Sequence, residues 1–318
     1  MKVLVHKGIE LMTALMLVSD CDFVKKVPSA FDGDKTYIEN IHKWFNNFQD
    51  EEIVSEFKTL NFGFNAVACG YILNDNYAID ESKDIVNISE PIKSFLLKLQ
   101  GFARKVNFDD FIRENQALYQ NGIIEYTDFL IRSDYEKFMK WFYKLDFDEN
   151  YDNEFILLPS LFQVGMCLQN GKACCVSIQE KRGNKSYFVS KEMKENAIPH
   201  TALHEFSHPI VDKLTRKYFE NNESFSIDNE TTKSKGIYQG EGVINDTIIE
   251  AIVGAYLKKR GVVEFAEKRI QTREKVGFYL IRPLIDFFKN YVDNIEKYKS
   301  FSDFFPQVMK FLKEEIKK

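Results

Sequence analysis

Apolar residues recur three and four positions apart through most of the first 150 residues, which is the signature of helices with one buried face. The segments "TYIENIHKWFNNF", "PIKSFLLKLQGFARKV" and "SDYEKFMKWFYKL" all carry it; in the last, Phe138, Met139, Phe142 and Leu145 share a side. Ser133 or Asp134 stands where that helix needs a cap. Near the N-terminus, Ile9, Met12, Leu15 and Met16 have the same spacing and predict an amphipathic helix. The acidic stretch "YKLDFDENYDNE" interrupts the pattern and predicts a junction. It divides the chain into a helical N-terminal region, 1–150, and a second region, 151–318.

The pattern changes at residue 155. "FILLPSLFQVGMCLQNGKACCVSIQE" has β-branched and apolar runs on both sides of Asn170-Gly171, a strong hairpin signal. "KRGNK" predicts a second turn and "SYFVS" another strand, giving a small antiparallel-containing sheet over 155–190. Helical spacing then returns over 199–218, with Pro199 placed in the first turn of that helix. Residues 220–236 are polar and aperiodic, which predicts a mobile loop. A helix over 243–259 follows, closed by a basic turn and Gly261, and two C-terminal helices complete the chain. The fold class expected is α+β, mostly helical, with the sheet directly before the 199–218 helix.

Composition narrows the function classes. Apolar residues make up 44% of the 318 positions and charged residues 29%, ordinary values for a globular chain. The 29 Phe and 15 Tyr promise a bulky core. A net charge of −5 without a basic block gives no footprint for nucleic acid or for a polybasic membrane anchor. No apolar run reaches the roughly 18 to 20 residues that span a bilayer. Glu10, Thr13 and Asp20 interrupt what would otherwise read as a lipoprotein leader ending at Cys21. A cytoplasmic location is therefore expected, with secretion the alternative if a leader has been removed. The five cysteines include an adjacent pair and no C-x-x-C spacing, so they read as reduced thiols rather than as a disulfide framework or thiolate zinc site.

The chemistry gathers in "IPHTALHEFSHPIVDK", residues 198–213, which holds three of the five histidines. Residues four apart on a helix lie about 40° and about 6 Å from each other, so His204 and His208 can direct ring nitrogens at one point. Glu205, turned about 100° from His204, suits a position beside the metal rather than on it. This is the H-E-x-x-H arrangement of zinc peptidases: two imidazoles on Zn2+ and a carboxylate that takes a proton from water and returns it to the leaving amine. His6 and His42 fall in the N-terminal helices and read as structural, and His200 as a surface or supporting residue.

A catalytic zinc takes a third protein ligand. No histidine follows His208, and Val211 and Leu214 stand where a longer histidine motif requires Gly and His. The third ligand should be an acid. Glu250 is the expected one, because a carboxylate inside "VINDTIIEAIVGAYL" is costly unless metal-bound or paired; a buried Glu–Arg pair is the competing reading. Asp246, one turn earlier, is the alternative ligand or else the acceptor that orients a ligand imidazole. Asp212 reads as exposed or capping, and Glu241 sits in a Gly-flanked turn. Tyr238, Tyr256, Tyr279 and Arg282 are candidate oxyanion donors, with Tyr238 preferred for its position at the end of the polar loop. Pro209 predicts a kink or an end to the helix just after His208.

H-E-F-S-H with a later helical E-A-I-V resembles the gluzincin class of zinc metallopeptidases. More of the chain, including "GIELMTALMLVSD" and "GFYLIRPLIDFFKNY", is similar to a bacterial domain-of-unknown-function family, number 4932. The resemblance implies a zincin-like two-lobe architecture and hydrolysis of peptide or protein substrates, with Glu250 as third ligand. Gly254 departs from both patterns: it replaces the acid that usually orients a zinc-bound histidine in the first and an Arg common in the second. That departure keeps open a catalytically inactive zinc-binding scaffold or peptide-binding protein. A helical interaction protein with a chance motif is the remaining alternative.

Overall fold

The structure, a computed structural model, describes residues 2–31, 33–83, 88–144, 153–161, 165–168, 173–177, 181–182, 187–188, 191–235 and 240–317. In chain order the elements are β1 (Lys2–Leu4), α1 (Lys7–Val18), α2 (Asp22–Lys26), α3 (Lys35–Trp44), α4 (Glu52–Leu60), α5 (Asn65–Tyr71), α6 (Glu90–Lys105), α7 (Phe108–Glu114), α8 (Gln116–Ser133) and α9 (Tyr135–Tyr143). Then come β2 (Glu154–Leu158), β3 (Gly165–Leu168), β4 (Ala173–Ser177), β5 (Lys181–Arg182), β6 (Tyr187–Phe188), α10 (Lys191–Asn221), α11 (Glu230–Lys235), α12 (Glu241–Lys259), α13 (Val263–Glu274), α14 (Ile281–Val292) and α15 (Phe301–Glu315). The protein is mostly helical, as its periodicity predicts. Among the described residues no helix is long and apolar enough to cross a membrane.

Two compact units form, Met1–Asp128 with Asp152–Lys194, and Phe129–Tyr151 with Glu195–Lys318. The chain crosses between the units inside α8, again at 151/152 beside the predicted junction, and a third time in the first turn of α10, so the units are not two continuous halves. The sheet therefore joins the N-terminal helices in the first unit.

In the first unit, α1 is buried all round from Gly8 to Val18, Glu10 and Thr13 included. It is a core helix and not the amphipathic one expected. Its closest neighbour is α5: a Cβ on Gly8 would lie 2.4 Å from the Gly70 carbonyl oxygen, and one on Gly70 would lie 2.6 Å from Ile9 Cα. The two backbones touch because neither position carries a side chain. Aromatic pairs such as Phe57–Phe62 and Phe108–Phe111 fill the rest of the core.

The sheet has order β1-β2-β4-β3. β1–β2 and β2–β4 pair parallel, and only β3–β4 pairs antiparallel. The antiparallel β3–β4 pair flanks Asn170-Gly171, as the hairpin signal predicts, although the dipeptide itself lies outside the described residues; the parallel pairings of β2 correct the expectation for the rest of the sheet. Residues Phe155–Leu158 are fully buried, as suits a strand with neighbours on both edges and covered faces. β5 and β6 form a separate antiparallel pair at the predicted "SYFVS" strand.

In the second unit, Phe142 of α9 packs its ring against Phe288, Tyr291 and Phe301. The Tyr291 hydroxyl donates to the Phe142 carbonyl at 2.7 Å. α10 starts eight residues before Pro199 and runs through Pro209, so the expected first-turn proline is interior and the expected helix end is absent. Pro209 brings no N–H to the Glu205 carbonyl, and the helix continues around that missing bond. The segment after α10 is organised by Asn229, whose side chain accepts from Thr231 and Thr232 N–H at the start of α11 and donates to the Gly277 carbonyl at 2.7 Å. The loop expected over 220–236 thus contains the last two residues of α10 and a capped short helix. α12 ends as predicted at Gly261, whose φ of +77° lets the N–H groups of Gly261 and Val262 bond the carbonyls of Lys258 and Leu257.

Candidate metal centre

Two helices of the second unit each present a pair of ionisable residues one turn apart. α10 presents His204 and His208, and α12 presents Asp246 and Glu250. The Nε2 atoms of the two histidines lie 3.3 Å apart. Asp246 Oδ1 faces both, 3.6 Å from His208 Nε2 and 4.0 Å from His204 Nε2. The circle through these three atoms has a radius of about 2.1 Å, inside the roughly 2.0–2.2 Å range of zinc–nitrogen and zinc–oxygen bonds. The three side chains form a set able to hold a metal ion.

The remaining ring nitrogens also face carboxylates. His208 Nδ1 lies 3.3 Å from Asp212 Oδ1, and His204 Nδ1 lies 3.5 Å from Glu250 Oε1. Asp212 hydrogen-bonds its imidazole and so fixes the tautomer that leaves His208 Nε2 free to ligate, whereas His204 Nδ1 has Glu250 beside it but no hydrogen-bond partner. Glu250 is itself held by Arg273 Nε at 2.6 Å and Arg269 at 3.1 Å, both from α13. Arg273 also reaches Asp246 Oδ2 at 3.3 Å.

Electrostatics follow this wiring. Burial holds the His204 imidazole far below its usual range, hence neutral, against the pull of Glu250. Burial works in the same direction on His208, but the hydrogen bond and charge of Asp212, with Glu205 and Asp246, outweigh it and raise the ring above its ordinary value. Burial pushes Asp246 up to about 6, partly offset by Arg273. For Glu250 the two arginines overcome desolvation and keep the group firmly ionised.

The fit of a cation rests on Asp246. It is 1% exposed, and its Oδ1 is buried without a hydrogen-bond partner while it points between two imidazoles. A buried carboxylate oxygen left so is expensive unless a positive charge completes its surroundings. Arg273 supplies that charge on the Oδ2 side. On the Oδ1 side the neighbours are two nitrogen lone pairs or one shared proton, and a divalent ion satisfies all three.

The sequence-based expectation and the structure therefore exchange two acids. Glu250, expected as third ligand, takes the Glu–Arg pairing and the contact with His204 Nδ1, while Asp246 faces both Nε2 atoms. Asp212 is neither a cap nor idle on the surface; it partners His208. Glu205 is buried beside the pair, and its charge acts on His208. His200 is 5% exposed, with Nε2 3.6 Å from Glu250 Oε2, and so belongs to the surround. Tyr238 lies outside the described residues. Tyr256 spends its hydroxyl on the Ser133 carbonyl, and Arg282 is paired with Glu267 and Glu274. Gly254 has a packing reason, since a Cβ there would lie 2.6 Å from Ile285 Cδ1 on α14.

Sequence reasoning missed Arg269 and Arg273. Their signal was present: two arginines four apart on α13 match the one-turn spacing of Asp246 and Glu250 on α12.

Residues 1–311 match the family described as Domain of unknown function (DUF4932). The chain belongs to this family. No curated protein and no solved structure matches it. Within this DUF4932 chain, then, the geometry around His204 carries the functional argument.

Proposed function

We propose that this DUF4932 protein is a zinc-dependent peptidase with His204, His208 and Asp246 as the metal-holding set. The observation that carries the reading is the unpartnered, buried Asp246 Oδ1 between two Nε2 atoms whose other ring nitrogens each face a carboxylate. Zinc bound there would supply Lewis acidity toward a peptide carbonyl and lower the pKa of a water to about 7. Glu205, adjacent in sequence to His204, accepts a proton from the attacking water and delivers it to the departing amine. Asp212 keeps the Nδ1 proton of His208 in place, and the charge of Glu250 stands beside His204 Nδ1. Arg269 and Arg273 neutralise Glu250, so that two buried acids can stand one turn apart. The gluzincin resemblance of H-E-F-S-H supports a zincin-like two-lobe arrangement, with Asp246 in place of the glutamate that class uses.

A second reading is a zinc-bearing scaffold without turnover. It is favoured by burial: His204 and Glu205 are only 7% and 8% exposed. One experiment separates the readings. Purified protein is analysed for metal and incubated with a diverse peptide library, alongside Glu205→Gln. The peptidase reading expects about one zinc per chain in both proteins and cleavage by the wild type alone. Zinc without cleavage in either protein leaves the scaffold, and no zinc in either ends both readings.

A further inference from the structure

The second unit contains a pocket that uses none of the groups around His204. It opens between α9, α12 and α14 and has a volume of about 320 Å³. Its floor is apolar, with half-buried Trp141 from α9 and Val292 from α14, and Ala255 of α12 leaves the space open because its side chain ends at Cβ. Its rim carries Lys258, Lys259 and Lys289 against one acid, Asp293.

The lysines are not equally occupied. Lys289 pairs with Asp286 at 2.8 Å. Among the described residues, Lys258 and Lys259 have no carboxylate in ion-pair range, and Lys259 Nζ instead sits 3.7 Å over the Trp141 ring. A cation resting on an aromatic face beside an apolar hollow is half of a recognition site: the ring supplies the electrostatics that a carboxylate would supply better. The pocket falls at the small end of ligand-site volumes. At the roughly 30 Å³ that a water-sized group occupies in a liquid, it holds about ten heavy atoms.

We propose that this pocket binds a small amphipathic carboxylate, with its apolar body against Trp141 and Val292 and its anionic head on Lys258 and Lys259. The apolar floor excludes a bare anion such as sulfate, and the two unpaired lysines exclude a cationic amphiphile. A chain of about eight carbons with a terminal carboxylate satisfies both requirements.

The test uses the full chain and two probes of equal length, octanoate and octylamine, followed by calorimetry and by Trp141 fluorescence in a Trp44→Phe background. Octanoate should bind one per chain and shift the emission; octylamine should do neither. The Lys258→Gln/Lys259→Gln protein changes only exposed side chains and should bind octanoate about tenfold more weakly. Ala255→Leu fills the hollow and should abolish binding, with circular dichroism checking its fold. Absence of saturable octanoate binding at millimolar concentration overturns the proposal. So does equal binding of octylamine, or undiminished affinity in the double lysine variant.

Discussion

Asp246 Oδ1 lies 3.6 Å from His208 Nε2 and hydrogen-bonds to nothing, although Asp246 is almost wholly buried. Glu250, one turn along the same helix, has the opposite situation: two guanidinium groups hold it. The difference between these acids generates the sharpest expectations.

Asp246→Ala should abolish stoichiometric zinc, because the set loses its only anionic member. Glu250→Gln should retain zinc with affinity reduced about 10- to 100-fold, the usual cost of losing an outer carboxylate. It should also destabilise the fold by on the order of 3 kcal/mol, since Arg273 is left without its main counter-charge in a buried place. Metal analysis after dialysis and urea midpoints measure the two effects separately. Retained zinc in Asp246→Ala with lost zinc in Glu250→Gln would restore Glu250 as the ligand.

Asp212→Ala removes the partner of His208 Nδ1 at a partly exposed position. Zinc affinity should fall about 10- to 100-fold while the metal-free urea midpoint moves little. A competition titration against a chromophoric chelator reads the affinity. An unchanged affinity would mean that Asp212 does not orient the ring.

A separate expectation concerns the first unit. Glu10 is fully buried, accepts from the Tyr37 hydroxyl, and leaves Oε1 without a partner; Tyr37 is in turn 2.8 Å from the Tyr119 hydroxyl. Burial pushes its carboxyl up to about 8, against the lowering effect of the Tyr37 hydrogen bond. The folded state therefore holds a proton that the unfolded chain releases near the ordinary value of 4.5. Its contribution to stability is fully present below that value and is lost as pH rises toward about 8, a change of a few kcal/mol at most. Urea midpoints should decline from pH 5 to 9 in the wild type. In Glu10→Gln, which keeps the shape without the charge, the decline should be much shallower.

Gly70→Ala should destabilise the protein by about 1 to 3 kcal/mol, because the added methyl meets the backbone of α1 rather than a movable side chain. Gly8→Ala should do the same from the other side. Gly101→Ala, where a Cβ would meet nothing within 4 Å, is the control and should be neutral or stabilising. Thermal unfolding of the three variants tests the ordering.

The helices and the histidine pair were legible along the chain because their determinants are local. Apolar spacing identifies α3, α6, α9, α14 and α15, and a separation of four residues puts His204 and His208 on one side of any helix that contains them. The same locality explains the misses. β1 pairs with a strand about 150 residues away, so nothing near Lys2–Leu4 announces it, and its "KVL" merges into the apolar run of α1. Pro199 and Pro209 signal a helix start and a helix end by local rules, yet α10 runs through both.

The choice of acid shows the boundary most clearly. The sequence by itself determined that two carboxylates, Asp246 and Glu250, share one side of an apolar helix and that burial must be offset for each. It could not determine which one meets the imidazoles, since one helical turn makes the two positions equivalent in pattern. That was decided by the tertiary structure: α13 brings Arg269 and Arg273 onto Glu250, and a carboxylate held by two guanidinium groups has its charge already satisfied. Of the two acids, Asp246 is the one with an oxygen facing the Nε2 atoms of both His204 and His208. The physical reason is that side-chain spacing is a property of one helix, whereas charge compensation depends on which neighbour arrives.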